Sequence, residues 1–410
     1  MREVALKRVC ELVTDPGPDE ERPFVALEHV VGGTGGLAKD VELSRRGPAA
    51  GLAAVSPGDV LFGKLRPYLA KTFRVSEPMF ASTELMALRP APDIDSRWLH
   101  YLLMSDEIMG WAVATSDGSK MPRTNWAELG EYRVTVPESS AQRAIADFLD
   151  AETARIDALI EKKRRQSALI DLRWVAVVTD LVRGRYTTAA NRRASGVDWI
   201  GELPEEWETP SVGMMFNVEL GKMLNQLAAE GENQRPYLRN QNVQWDRFDL
   251  TDVATMHFDP DEHGRFTVRE GDLLVCEGGD VGRAALWSSD ADIHYQKALH
   301  RVRPRTNAPP RFLIYVLWAA SSLGVFTIEG NQSTIVHLTR EQLRAHRIPW
   351  PPEKQQRQIV AELDAARAKM RKLQERWSRQ ITLLTENRQA LITAAVTGRI
   401  GVPGAAIPRA

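Results

Sequence analysis

Gln142-Arg143-Ala144-Ile145-Ala146-Asp147-Phe148-Leu149-Asp150 returns, 214 positions later, as Gln356-Arg357-Gln358-Ile359-Val360-Ala361-Glu362-Leu363-Asp364. Gln, Arg, Ile, Leu and Asp recur in register. The same offset pairs Ala154 with Ala368, Leu159 with Leu373, Leu169 with Leu383 and Thr179 with Thr393. It closes on Gly184-Arg185 and Gly398-Arg399. A register held over so long a stretch marks an internal repeat, and a repeat dictates the architecture.

Both copies read as long helices. Neither Gly nor Pro occurs from Ser140 to Arg183 or from Glu353 to Thr397. Each segment is entered through Pro (Pro137; Pro351-Pro352) and left at Gly (Gly184; Gly398), the expected start and stop chemistry. Ile145, Leu149, Ile156 and Leu159 in the first copy step by helical intervals. So do Ile359, Leu363, Met370, Leu373 and Trp377 in the second. Such stripes predict coiled-coil-like pairing. Unbroken, each helix is about 65 Å long, and a stripe of that length needs a partner of equal length. The other copy supplies it, so these nine residues are the expected pairing surface.

The repeat continues upstream in weaker form. Phe24–Leu27 faces Tyr237–Asn240, Gly58-Asp59-Val60-Leu61 faces Gly271-Asp272-Leu273-Leu274, and Arg97–Tyr101 faces Arg311–Tyr315. Turn signals such as Pro57-Gly58-Asp59 and Gly278-Gly279-Asp280 punctuate short β-rich runs. The predicted fold class is therefore α+β: two repeated mixed α/β domains, separated by two long paired helices, with pseudo-two-fold symmetry. The expected boundaries are a first domain at 1–137, a first helix at 138–185 and a linker at 186–197. A second domain follows at 198–350, a second helix at 351–400 and a loose tail at 401–410.

Composition narrows the function. The 410 residues carry 53 Lys+Arg against 54 Asp+Glu, a net charge of -1, so a globally basic nucleic-acid binder is excluded and any such surface is a local patch. Two cysteines, Cys10 and Cys276, make neither a disulfide framework nor a cysteine zinc site and fit a reducing, cytoplasmic setting. The longest apolar run, Phe312–Ala320, is too short to span a bilayer.

Apparent catalytic signals do not hold. Gly33-Thr34-Gly35-Gly36-Leu37-Ala38 matches a relaxed dinucleotide fingerprint, but no helix pattern starts there, so a flexible glycine loop is expected. Asp259–Glu270 approaches a calcium-loop spacing, spoiled by Pro260 and His263, and reads as a solvated turn before a strand. A metal cluster of His257, Asp259, Asp261 and His263 lacks a supporting second cluster. No P-loop, no G-x-S-x-G and no amino-methyltransferase tetrapeptide is present. No catalytic residue and no metal site are assigned.

Charge does carry a signal. Lys64, Arg66, Tyr68, Lys71 and Arg74 cluster in the first copy, with Ser119, Lys120 and Arg123 further on. In the second, no acidic residue stands between Ile293 and Arg311, while Gln296, Lys297, Arg301, Arg303, Arg305 and Arg311 do. Cations neutralise phosphates, and Arg, Asn and Gln read base edges. Arg239, Asn240, Asn242, Arg283, Asn331, Gln332 and Ser333 join the candidates by loop position. Diverged domains joined by preserved stiff helices suit a device that reads two DNA segments at a fixed separation.

The chain resembles the specificity subunit of type I restriction–modification systems. The residues that carry the resemblance are Ser195–Trp207, Tyr237–Val243, Arg269–Leu274, Pro351–Val360 and Arg388–Thr393. The resemblance spans nearly the whole chain. It implies that each mixed domain is a target recognition domain for one part of a split, asymmetric target in double-stranded DNA. The paired helices act as a ruler and dock two copies of the modification subunit, and restriction subunits join the full complex. It implies no cofactor on this chain: S-adenosylmethionine belongs to the modification subunits, and ATP and magnesium to the restriction subunit. It also implies no membrane partner. The first copy departs from the pattern in lacking a counterpart of Trp199–Trp207. It also has Arg173-Trp174-Val175 where the second has Asn387-Arg388-Gln389, so unequal docking is expected. Two rivals make contrary predictions. A fused methyltransferase or nuclease would bind the methyl donor alone, and a helical scaffold would retain no DNA selectively.

Overall fold

The computed structural model describes residues 2–186, 191–305, 307–328 and 337–405. The chain forms two compact units. One joins Met1–Arg165 to Arg376–Ala410, and the other is Gln166–Glu375. The two long helices, Ser139–Val182 and Glu353–Val396, each contribute one part to each unit.

Both units build the same sheets. In the first, one four-stranded sheet orders Cys10–Leu12, Leu85–Pro90, Val60–Gly63 and Thr72–Arg74. In the second, Phe216–Leu220, Leu299–Pro304, Leu273–Cys276 and Ala284–Leu286 take the same places. The other first-unit sheet orders Arg45–Arg46, Arg22–Val25, Met79–Ala81 and Ala53–Val55. Its counterpart runs Ala254–His257, Gln234–Leu238, Ile293–Tyr295 and Thr267–Val268. Each of these sheets contains one parallel pair among antiparallel ones. The repeat is thus topological even where the sequences have diverged.

The Gly-Asp repeat now has a cause. Asp59 accepts from the Ser56 amide at 2.9 Å, closing the turn, and binds Arg89 of the neighbouring strand through two oxygens. Asp272 does the same with the Arg269 amide, at 2.7 Å, and with Arg303. In each unit a glycine supplies the positive φ (Gly58, Gly271) and the aspartate ties turn to sheet.

A second repeated joint fixes each mixed domain to its long helix. In the first unit, Arg97 reaches Asp147 at 2.7 Å and Asp150 at 2.9 Å, while the Tyr101 hydroxyl donates to Asp150 at 2.7 Å. In the second, Arg311 and Tyr315 converge on Asp364. The buried amides of Gln142 and Gln356 both donate to prolyl carbonyls, Pro137 and Pro351, at the helix starts. The helical element that follows the strands is two helices in the first copy, Ser96–Leu103 and Asp106–Ala114, because Ser105 caps a new start. In the second copy it is Pro310–Ser322 followed by one turn, Val325–Ile328.

The long helices pair antiparallel. Within the first unit Asp157 binds Arg388 at 3.0 Å and Lys163 binds Gln380 at 2.6 Å, so one helix advances as the other retreats. Within the second, Gln374 binds Asp171 at 2.7 Å. Ile145, Leu149 and Ile156 are buried, as are Ile359 and Leu363. Met370 and Trp377 are half-buried. Leu159 and Leu373 are exposed and do not fill the seam. A straight helix turns about 20° per heptad away from a strict seven-residue stripe, which carries these two leucines off the contact face.

Two local expectations change, for the glycine loop and the tail, and the turn expected at the calcium-like stretch is found. Gly33–Gly36 is no flexible loop but the turn of a hairpin, Val30–Val31 with Gly36–Leu37. Its Gly33 and Thr34 carbonyls accept from Arg388 at 2.9 and 3.0 Å. A side chain on Gly35 would strike His100, so the turn also sits on the helix behind it. The calcium-like stretch folds as short helical turns, Pro260–Glu262 and His263–Phe266, leading into the strand Thr267–Val268. The tail is seated as far as Ala405, with Val402 buried in the first unit's core and Ala405 packed against it; residues 406–410 lie outside the described residues. No helix of the described chain is long and apolar enough to cross a membrane.

Candidate nucleic-acid interface

In the first unit the two basic stretches, read apart in the sequence, lie side by side. The Arg66 amide donates to the Pro122 carbonyl at 2.7 Å, and the Thr124 amide to the Lys64 carbonyl at 3.0 Å. Lys64, Arg66, Tyr68, Lys71, Ser119, Lys120 and Arg123 therefore share one region. They are not equally available. Lys64 is half-buried and bonds the Thr83 carbonyl at 2.7 Å; burial, then the nearby Arg123, pull its pKa below that of an ordinary lysine. Lys71 reaches the Leu27 carbonyl, and Arg123 pairs with Glu84 at 3.0 Å. Arg66 and Lys120 are exposed and form no ion pair with a described residue, so they are the cations best placed for phosphate. Ser119 is exposed beside them.

The second unit handles its candidates differently. Asn242 is 2% exposed. Its amide donates to the Asp249 and Asp252 carbonyls, and its oxygen accepts from the Arg239 amide, so every polar group is used inside the turn. Arg239 pairs with Asp252 at 2.9 Å, Asn240 bonds the Gly278 carbonyl at 2.7 Å, and Arg283 bonds the Asn240 carbonyl. Together these residues support the turn Glu277–Arg283 from behind. Gln296 and Lys297 end a strand beside the segment Gly221–Leu224, with the Lys297 amide on the Lys222 carbonyl at 2.8 Å. Lys297 is exposed and Gln296 half-buried. Asn331, Gln332 and Ser333 lie outside the described residues.

The acid-free stretch Ile293–Arg311 is not a basic face. Arg301 is buried on a strand against the Arg265 and Thr267 carbonyls, and burial lowers its pKa. Arg303 is held by Asp272, Arg305 bonds the Gly213 and Phe216 carbonyls, and Arg311 is taken by Asp246 and Asp364. The acidic partners of Arg303 and Arg311, and the carbonyls that hold Arg301 and Arg305, stand elsewhere in the sequence, which hid these contacts.

Two features escaped the sequence reading. One is the exposed pair Met223-Leu224, next to Lys222 and Lys297 at the end of the strand Phe216–Leu220. Its only signal was an apolar dipeptide in an otherwise polar loop. The other is the edge pair Arg45-Arg46, exposed on the first unit's outer strand, with Arg46 3.9 Å over the Phe24 ring. No three His, Cys, Asp or Glu side chains converge as a metal would require among the described residues. Both cysteines are buried, and burial pushes the Cys10 thiol up to about 12 and Cys276 to about 11, so neither is poised as a thiolate.

Comparisons with known proteins agree on one family. The family model described as the type I restriction modification DNA specificity domain matches residues 54–167 and 204–382. The EcoBI type I restriction enzyme specificity subunit of Escherichia coli is 28% identical over 354 residues, which is 84% of this chain and 74% of that protein. The StySPI specificity subunit of Salmonella potsdam is 20% identical over 323 residues, 77% and 67% of the two chains. Among solved structures, a chain from work on complex assembly and conformational transition of the type I R-M system matches with a TM-score of 0.76 at 20% identity. The match covers 97% of this chain and 98% of that one. The HsdS subunit of Thermoanaerobacter tengcongensis matches with a TM-score of 0.55 at 19% identity, over 97% of each. At these identities the structural likeness speaks for the fold.

Proposed function

The chain belongs to the type I restriction–modification DNA specificity family, and from that premise we propose that it is the subunit that reads a bipartite, asymmetric target in double-stranded DNA. Each mixed domain reads one half. The paired helices set the separation of the halves and dock two modification subunits, through which restriction subunits join. Chemistry belongs to those partners, which bring S-adenosylmethionine, ATP and magnesium. This chain supplies position and base discrimination without a catalytic group of its own, in the cytoplasm where the DNA is.

The observation that carries this reading is the pairing of one sheet order with two unlike loop chemistries. Strands, Gly-Asp turns and helix joints repeat between the units. The loops that follow the equivalent strands Val60–Gly63 and Leu273–Cys276 do not: Lys64-Leu65-Arg66-Pro67-Tyr68 in one, Glu277-Gly278-Gly279-Asp280-Val281 in the other. A scaffold has no use for that divergence, whereas a reader of two different half-sites requires it.

The test is co-purification with the modification subunits, followed by selection from random duplexes at moderate salt. The expected outcome is enrichment of two short motifs around an unspecified spacer of constant length. Exchanging residues 60–74 for those of another family member should change one motif and leave the other. Salt-sensitive binding with no enrichment would overturn the reading.

A further inference from the structure

The turn Pro67–Leu69 in the first unit has an unusual construction. Three non-glycine residues of the described chain have positive φ, and two of them, Arg66 at 48° and Ala70 at 47°, bracket this turn. A residue with a Cβ occupies that region only when its surroundings enforce it. Here they do. The Ala70 carbonyl accepts from the Gly33 amide at 3.0 Å, and the Gly63 amide donates to the Lys71 carbonyl at 2.8 Å. Gly32 passes so close that a Cβ there would lie 2.3 Å from the Leu69 carbonyl oxygen. The hairpin that supplies Gly32 and Gly33 is itself clamped by Arg388.

What this rigid turn presents is apolar. Tyr68 is 56% exposed and Leu69 41%, and Met121, 55% exposed, stands on the adjoining loop. Large apolar side chains grouped in the open mark a contact surface. The cations around them, Arg66 and Lys120, select for a polyanion. A stacked duplex offers both chemistries at once, phosphates outside and apolar base faces between steps. We propose that Tyr68 and Leu69 form a wedge that enters one base step of the half-site read by the first domain and partly unstacks it. The flanking cations hold the phosphates on either side. Wedges of this kind make sequence preference out of deformability, since steps differ in the cost of unstacking. The second unit has nothing equivalent at this turn, because Gly279, Asp280, buried Val281 and Gly282 occupy it. The proposal concerns this turn and the half-site read by the first domain.

This rests on the DNA-reading function, and the experiment separates the two claims. The full complex with modification subunits is bound to the selected target carrying 2-aminopurine at successive positions of the first half-site, omitting the adenine that is methylated. Selection of a target tests the reading itself, and its failure removes both claims at that stage. Given a target, the expected result is a several-fold fluorescence rise at one step. Y68A/L69A loses the rise and weakens target binding by about tenfold. Y68F/L69M keeps the rise. R66A weakens binding at raised salt but keeps the rise once saturated. An unchanged signal at every position, or a full rise with Y68A/L69A, overturns the wedge.

Discussion

The two mixed domains share a sheet order and a helix joint, yet beside the small hairpin of each a different side chain stands at one repeated position of the long helices. In the first unit the hairpin Val30–Leu37 is held by Arg388, which also pairs with Asp157. In the second, the hairpin Val243–Gln244 with Arg247–Phe248 places Trp245 on Trp318 at 4.7 Å between ring centroids. Trp174 packs edge-on against the same Trp318, and Arg367 lies over both. Trp174 and Arg388 occupy equivalent repeat positions. One position thus serves as a charged clamp in one copy and an aromatic one in the other. The lesson is that the joint is preserved while its chemistry is free to drift, provided each solution is complete.

The sharpest way to break this comparison is to remove the clamps. Trp174→Ala empties a fully buried aromatic site and should cost about 3–5 kcal/mol, read as lost amide-exchange protection confined to the second unit. Arg388→Met should cost less, about 1–3 kcal/mol, with the loss confined to the first, because Asp157 is half-exposed and returns to water. Equal losses, or losses in the wrong unit, would show that the joints are not independent.

Acid should separate the units next. Burial keeps His294 and His346 down at about 4, with His263 reinforcing the effect on His294, and it lowers His300 as well. The first unit has His100, held down to about 3 by burial and then by Arg74 and Arg388. An unfolded imidazole titrates near 6.5, so below that pH the unfolded chain binds the extra protons. Stability contributed by these groups is intact above pH 6.5 and falls as pH drops toward 4. At pH 5 a residue such as His346 costs about 2 kcal/mol. Melting followed by amide exchange at pH 7 and pH 5 should show the second unit opening first.

The loop chemistry gives a smaller, graded effect. Arg66→Ala and Lys120→Ala should each lower the slope of log affinity against log salt by about 1. In the second unit, Glu277→Gln and Asp280→Asn should instead tighten binding to random duplex, since they remove repulsion from phosphate. The smallest effect is on the strained turn. Ala70→Gly should raise stability by about 0.5–1 kcal/mol in urea unfolding and loosen discrimination in the first half-site only.

Much of the fold was legible because helices and repeats write themselves locally. The offset between Gln142 and Gln356, and the missing Gly and Pro, sufficed for two long helices and their pairing. The Gly-Asp turns were visible as repeats, but their task was not, since Arg89 and Arg303 stand far from Asp59 and Asp272 in the chain. The candidate site was legible only where the local count of charges equals the spatial count. Arg66 and Lys120 have few acids near them in either sense. Arg301, Arg303, Arg305 and Arg311 look free in sequence and are spent in the fold.

The division of the long helices between units has a consequence for synthesis. The core around Ile145 and Leu149 is closed by Ile392, Ala395, Val396 and Val402, which leave the ribosome more than 200 residues later. At about 5–20 residues per second, the nascent first domain waits roughly 10–40 s with its apolar helix face uncovered. The second unit has no such wait, since all of it is contiguous in the chain. The domain made first is therefore finished last, and the interval of uncovered apolar surface belongs to the chain's amino-terminal half.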